Sequence, residues 1–126
     1  MPHKILVVED DPDAREMLQL RLEASGYDVI VAANGTEGLE RTALELPDLI
    51  VCDVTMPGMD GFSFVRELHK DSTAKKIPVI MLTGKDKMQD IFQFEGVRDY
   101  LVKPCRAGEL LEKIKRHLKP DPNHPS

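Results

Sequence analysis

Four short apolar runs in this chain each stop on a polar residue, and that repetition narrows the fold more than any other feature. Ile5-Leu6-Val7-Val8 runs into Glu9-Asp10, and Leu49-Ile50-Val51-Cys52 into Asp53. Val79-Ile80-Met81-Leu82 runs into Thr83, and Tyr100-Leu101-Val102 into Lys103-Pro104. Runs that are apolar at every position, rather than every second one, mark strands covered on both faces. Helical spacing fills the stretches between them. Strands alternating with helices imply a parallel sheet with helices on both sides. In open sheets of that kind ligands bind at the carboxyl ends of the strands. One polar strand end says little. Four in order, carrying three carboxylates, a hydroxyl and an amine, predict a site.

The local signals predict five βα units. Lys4–Val8 is the first strand; Asp11 reads as an N-cap with Pro12 at the first helical position. Ala14, Met17, Leu18, Arg21, Leu22 and Ser25 recur at helical spacing, and Gly26 closes that helix in the left-handed conformation. Asp28–Ala32 is the second strand, Asn34-Gly35 a turn, and 36–45 a helix broken by Pro47 and Asp48. Leu49–Asp53 is the third strand; Met56-Pro57-Gly58-Met59-Asp60-Gly61 is a loop by its Pro and Gly content. Phe62, Val65, Leu68 and His69 mark a third helix, and 79–82 the fourth strand. A helix over about 86–95 turns Met88, Ile91 and Phe92 inward. The fifth strand is 99–102, and a last helix over 107–118 buries Leu110, Leu111, Ile114 and Leu118. Pro120, Pro122 and Pro125 make 120–126 a tail or the start of a linker, leaving 1–119 as one domain.

Charge and hydropathy exclude other classes. A net charge of −5 with no long basic run argues against gripping nucleic acid. The apolar runs are too short to span a membrane, and the N-terminus leads straight into a strand rather than a secretory signal. Cys52 and Cys105 lack metal-ligand spacing and read as free thiols of a cytoplasmic protein.

Each polar strand end also has a plain reading. Glu9 and Asp10 fit a solvated strand end, Asp53 and Thr83 fit caps of the following turn or helix, Lys103 a surface lysine, and Tyr100 a packed aromatic. Lys113, Lys115, Arg116, His117 and Lys119 read as a solvated basic face, favoured at a helix C-terminus. Joint occurrence overturns the plain reading for the strand-end residues.

The residues Ile5–Asp11, Asp53–Gly61, Pro78–Gly84 and Asp99–Pro104, in this order over about 4–118, make the chain resemble the receiver domains of two-component response regulators. The resemblance implies a flavodoxin-like, doubly wound (βα)5 parallel sheet of strand order 2-1-3-4-5, with Glu9, Asp10 and Asp53 side by side. Two carboxylates ~4 Å apart repel by roughly 4 kcal/mol at an effective dielectric near 20, so three together call for a cation. Oxygen ligands with open positions suit Mg²⁺. By resemblance, Asp10, Asp53 and the Thr55 carbonyl ligate Mg²⁺, and Glu9 acts through water. Asp53 accepts the phosphoryl group, Lys103 and Thr83 contact it, and Thr83 and Tyr100 switch. The implied partners are a sensor histidine kinase or histidine phosphotransfer protein and a downstream effector. The implied domain catalyses its own phosphorylation and dephosphorylation but is not a multiple-turnover enzyme.

Two other classes stand beside this reading. A pure interaction module has no use for the Asp53, Lys103 and Glu9-Asp10 set. Asp53-Val54-Thr55 is faintly similar to the Asp-x-Asp motif of haloacid-dehalogenase-type phosphatases, but Thr55 stands where the second aspartate belongs. Three departures from the receiver pattern bear on output: Gly84 and Cys105 replace commoner residues, and the 20 residues from Thr83 to Lys103 are fewer than usual. Relatives often pair through the last strand and last two helices. The shortfall there, with Phe92 and Phe94 unable to share one helix face, predicts that this chain signals as a monomer.

Overall fold

β1 (Lys4–Val8), β2 (Asp28–Ala32), β3 (Leu49–Asp53), β4 (Val79–Thr83) and β5 (Val97–Val102) form one parallel sheet in the order β2-β1-β3-β4-β5. This is the doubly wound architecture that the resemblance implied. The structure is a computed structural model describing residues 2–84 and 96–118. Its helices are α1 (Pro12–Ala24), α2 (Gly35–Glu45), α3 (Gly61–Leu68) and α4 (Ala107–His117), with a short 3₁₀ turn at Ala74–Lys76. The helix expected over 86–95, with Met88, Ile91, Phe92 and Phe94, lies outside the described residues, as does the tail from 119.

Successive side chains of a strand point to opposite faces, so each apolar run feeds two cores. Leu6, Val8, Ile50, Cys52 and Met81 pack with Phe64, Val65 and Leu68 of α3 on one face. Ile5, Val7, Leu49, Val51, Ile80 and Leu82 pack with Leu22 of α1 and Leu110 and Ile114 of α4 on the other. β3 and β4 are buried along their whole length, which is why their sequences show no alternation. Cutting a central side chain such as Ile50 to Ala costs roughly 2–5 kcal/mol, because rigid neighbours on both sides cannot close the gap.

The helix ends follow local chemistry. The Asp11 carboxylate accepts from the Asp13 N–H at 3.2 Å, and Pro12 needs no donor at the first position. Gly26, at φ 93°, turns the chain out of α1. Asn34-Gly35 is not a free turn. Asn34 caps α2 by accepting from the Glu37 N–H at 2.8 Å, and Gly35 is the first helical residue.

The structure corrects other expectations. Met17 is 52% exposed, and Arg21 and Ser25 face solvent; of the residues expected to mark the α1 face, only Leu22 is fully buried. Phe64 rather than His69 completes the inner face of α3, and β5 begins at Val97, two residues before the strand expected over 99–102. Lys113 and His117 are not a solvated face. Both bond Asp99 of β5, at 2.7 and 2.9 Å, and fasten α4 to the sheet.

Candidate functional site

The strand order assembles the site. Val8 of β1 pairs with Cys52 of β3, so Glu9 and Asp53 emerge side by side. Asp53 pairs with Leu82 of β4, and Thr83 with Val102 of β5. The Lys103 N–H extends that ladder by donating to the Thr83 carbonyl at 2.7 Å, which sends the lysine side chain off from a fixed backbone.

The Lys103 ammonium reaches back across the sheet. Its Nζ donates to Asp53 Oδ2 at 2.8 Å and to Glu9 Oε1 at 3.2 Å. Carboxylate oxygens of Glu9, Asp10 and Asp53 all lie within 4.8 Å of one another. Glu9 and Asp53 are buried, at 1% and 6% exposed, and Asp10 is half-buried. The Thr55 N–H makes a long contact to Asp53 Oδ1 at 3.4 Å, and the Thr83 hydroxyl donates to the Gly84 carbonyl at 3.0 Å. Thus Glu9, Asp10, Asp53 and Lys103 form one cluster, with Thr55 and Thr83 at its border. Tyr100 is half-buried on the α3 side of the core, opposite Met81 in the ladder.

Among the described residues, the cluster holds three carboxylates and the Lys103 ammonium. Burial, then a hydrogen bond and charge from Asp53, push the Glu9 carboxyl up to about 7, although Lys103 pulls the other way. Burial works against the Lys103 charge, but Asp53 and Glu9 outweigh it and hold the ammonium above its usual value. Among the described residues, Glu9 Oε2 is buried with no hydrogen-bond partner. A buried carboxylate oxygen facing other carboxylates is satisfied in two ways, by a proton or by a cation. Three hard oxygen donors, one of them on the half-buried Asp10, fit Mg²⁺ better than a soft metal.

Two supporting residues were not singled out in the sequence. A Cβ on Gly61 would lie 2.6 Å from the Asp53 carbonyl and 2.9 Å from Val54 Cα, so only glycine lets α3 start against the end of β3. Its N–H donates to the Val54 carbonyl at 2.8 Å. The second is Arg15 on α1, whose Nη1 donates to the Glu9 carbonyl at 2.9 Å. The Gly61 signal is present in the sequence as a glycine eight residues after Asp53, where it reads as loop composition and as the end of the Asp53–Gly61 motif but not as a packing requirement.

Comparison with known proteins agrees with this geometry. The chain belongs to the response regulator receiver domain family, whose profile matches residues 5–115. Protein PilH of Pseudomonas aeruginosa is 40% identical over 113 residues, covering 88% of this chain and 93% of PilH. PhoP, the alkaline phosphatase synthesis transcriptional regulatory protein of Bacillus subtilis, is 40% identical over 121 residues, covering 94% of this chain but 50% of PhoP. The chain thus spans about half the length of such transcriptional regulators. Among solved structures, TrrA of Thermotoga maritima in complex with Mg²⁺ and BeF superposes with a TM-score of 0.84 at 34% identity, covering 94% of this chain and all of TrrA. The receiver domain of sensor histidine kinase PA1611, with a magnesium ion coordinated in its active-site cleft, gives 0.85 at 29% identity and covers 93% and 98%. As a receiver domain, the chain serves phosphorylation-dependent two-component signalling. No helix among the described residues is long and apolar enough to cross a membrane.

Proposed function

We propose that Asp53 is the phosphoacceptor and that this domain is a Mg²⁺-dependent switch charged by a sensor histidine kinase or a histidine phosphotransfer protein. One observation carries the reading: the carboxylate at the end of β3 is held by the Lys103 ammonium at 2.8 Å inside an acidic cluster. Asp10, Asp53 and the Thr55 carbonyl would hold the ion, with Glu9 behind them. When bound, it supplies positive charge against the phosphoryl oxygens and quenches the repulsion among the carboxylates.

The protein's own residues do the rest. An Asp53 oxygen attacks phosphorus as the bond to the donor's imidazole nitrogen breaks; that electron pair returns to the ring, and an aspartyl phosphate results. Lys103 is already seated beside Asp53 and moves little to meet the incoming negative charge. Burial of Asp53 and Glu9 keeps bulk water from screening these contacts. The Thr83 hydroxyl leaves the Gly84 carbonyl for a phosphoryl oxygen, and Tyr100, on the strand paired with β4, follows. The altered face is read by a downstream effector protein or domain in the cytoplasm. Hydrolysis of the aspartyl phosphate resets the domain, so it turns over its own phosphoryl group and not a stream of substrate.

Incubation with acetyl phosphate and Mg²⁺ adds one phosphoryl mass per chain, and Asp53→Asn abolishes it. Full labelling of that variant sinks the assignment. Repeated turnover of the donor without a protein-bound phosphoryl group favours a hydrolase instead.

A further inference from the structure

We infer that Arg15 is a positioning residue for the metal-binding turn: through the main chain of Glu9 and Asp10 it sets the aim of their carboxylates. The inference rests on the Mg²⁺ reading above and extends it to a helix that contributes no ligand.

β1 ends at Val8, and the chain must change direction at once to enter α1 at Pro12. Past the last ladder position, the Glu9 N–H still donates to the Ala32 carbonyl of β2 at 3.0 Å. Its carbonyl has left the ladder and is taken by the Arg15 Nη1 at 2.9 Å, which also lies 3.5 Å from the Asp10 carbonyl. Glu9 is therefore held from both sides, by β2 at its nitrogen and by α1 at its oxygen. The arm that does this is itself fixed. Asp11 caps α1, and the Arg15 N–H donates to the Asp11 carbonyl at 2.9 Å, so Arg15 sits one turn into a helix whose start is defined. Its side chain is half-buried, which limits its freedom.

The consequence is geometric. A carboxylate on a two-residue turn swings with its backbone, and a ligand displaced by a fraction of an ångström loses much of its bond to a small hard cation. A guanidinium behind the turn also bonds main-chain oxygens without competing for the carboxylates. Arg15 could instead be no more than a nearby positive charge. That alternative makes the opposite prediction, since removing a cation beside the site would tighten Mg²⁺ binding.

The test is a Mg²⁺ titration of the full chain, followed by amide shifts of Asp10, Thr55 and Met56, for wild type, Arg15→Met and Arg15→Lys. Melting is recorded in parallel in EDTA. Arg15→Met keeps side-chain length and helix propensity but has no donor. Its Kd for Mg²⁺ should rise about tenfold, the scale of lost outer-shell partners, while strand amides such as Ile50 and Ile80 keep their shifts. Arg15→Lys, with one ammonium able to reach the Glu9 carbonyl, should recover part of the affinity. A Kd within twofold of wild type, or a lower one, for Arg15→Met, or an Arg15→Lys no tighter than Arg15→Met, overturns the positioning role. A wild type that binds no Mg²⁺ overturns the metal reading itself, and the inference with it.

Discussion

Two acidic clusters in this protein use the same chemistry in opposite proportions. At the carboxyl ends of β1, β3 and β5, three carboxylates cluster, two of them bonded to the Lys103 ammonium, and among the described residues a buried Glu9 oxygen goes without a partner. Along β5 and α4, one carboxylate, Asp99, accepts from Lys113, His117 and the Tyr100 N–H. Burial disfavours charge on both Glu9 and Asp99, yet the outcomes diverge. Glu9 is pushed up to about 7. For Asp99, the hydrogen bonds from Lys113, His117 and the Tyr100 N–H outweigh burial and hold the carboxyl below its usual value. Deeper burial of Glu9, and its fewer donors, together set the difference. The saturated cluster is a fastener. The unsaturated one stores repulsion that a cation can relieve, and the proposed metal site rests on that difference.

The largest test removes one of the proposed acidic ligands. Asp10→Ala should weaken Mg²⁺ binding by at least ~10–100-fold, more than the loss of an outer partner would. In wild type, Mg²⁺ should raise the melting temperature by mass action, since the ion binds the folded cluster and not the unfolded chain. A melting temperature indifferent to millimolar Mg²⁺ breaks the comparison at its root, because the acidic cluster would then be as self-sufficient as Asp99.

The next test uses pH, where the two clusters carry opposite signs. Glu9 has a folded-state value near 7 against an ordinary 4.5. The folded state therefore binds more protons across that window, and stability falls as pH rises through it. The limit of the loss is on the order of 3 kcal/mol. Asp99 behaves in reverse. Its folded value is lowered, so its contribution is present above the ordinary 3.8 and lost only as pH falls through the folded value. Melts in EDTA between pH 5 and 8 should show a downward slope that Glu9→Gln removes and Mg²⁺ flattens. A slope that survives in Glu9→Gln assigns the effect to another group.

Much of the acidic cluster was legible in the sequence because strands buried on both faces write contiguous apolar runs, and Glu9, Asp53, Thr83 and Lys103 each stand where such a run stops. Local pattern could not say that Lys103 meets Glu9 across 94 residues. That depends on strand order, which came from the resemblance. The saturated cluster was illegible for a related reason. Asp99 lies 14 and 18 residues before its partners, on a strand rather than on their helix, so Lys113 and His117 looked like ordinary helix-end cations. Arg15 was missed because it bonds main-chain carbonyls, which every residue type carries. Met17 was misplaced because apolar spacing marks a helix but not which of its apolar residues turns inward.

A smaller effect should follow from opening the fastener. Asp99→Asn removes the charge that both Lys113 and His117 contact. The side chains are 15%, 25% and 21% exposed, so solvent screens them only in part. The loss should be roughly 1–2 kcal/mol, between that of an exposed and a fully buried pair. Mg²⁺ affinity should stay unchanged, which separates the two clusters experimentally. A fall in Mg²⁺ affinity would show instead that β5 transmits between them.

The smallest effect belongs to a third pair, on the same helix as the fastener. Arg116 and Glu112 approach to 3.4 Å at i,i+4 spacing, but their side chains are 57% and 73% exposed. Water solvates both groups well before they meet, and ordering two long side chains costs entropy. Arg116→Ala should therefore lower stability by no more than ~0.5 kcal/mol, and high salt should erase even that. Lys113→Met, three residues away on α4, removes a cation from a shielded carboxylate and should cost clearly more. Thermal melts of the two variants side by side make the comparison. Equal losses would mean that proximity alone sets the strength of these pairs, and the contrast between a saturated and an unsaturated cluster would lose its physical basis.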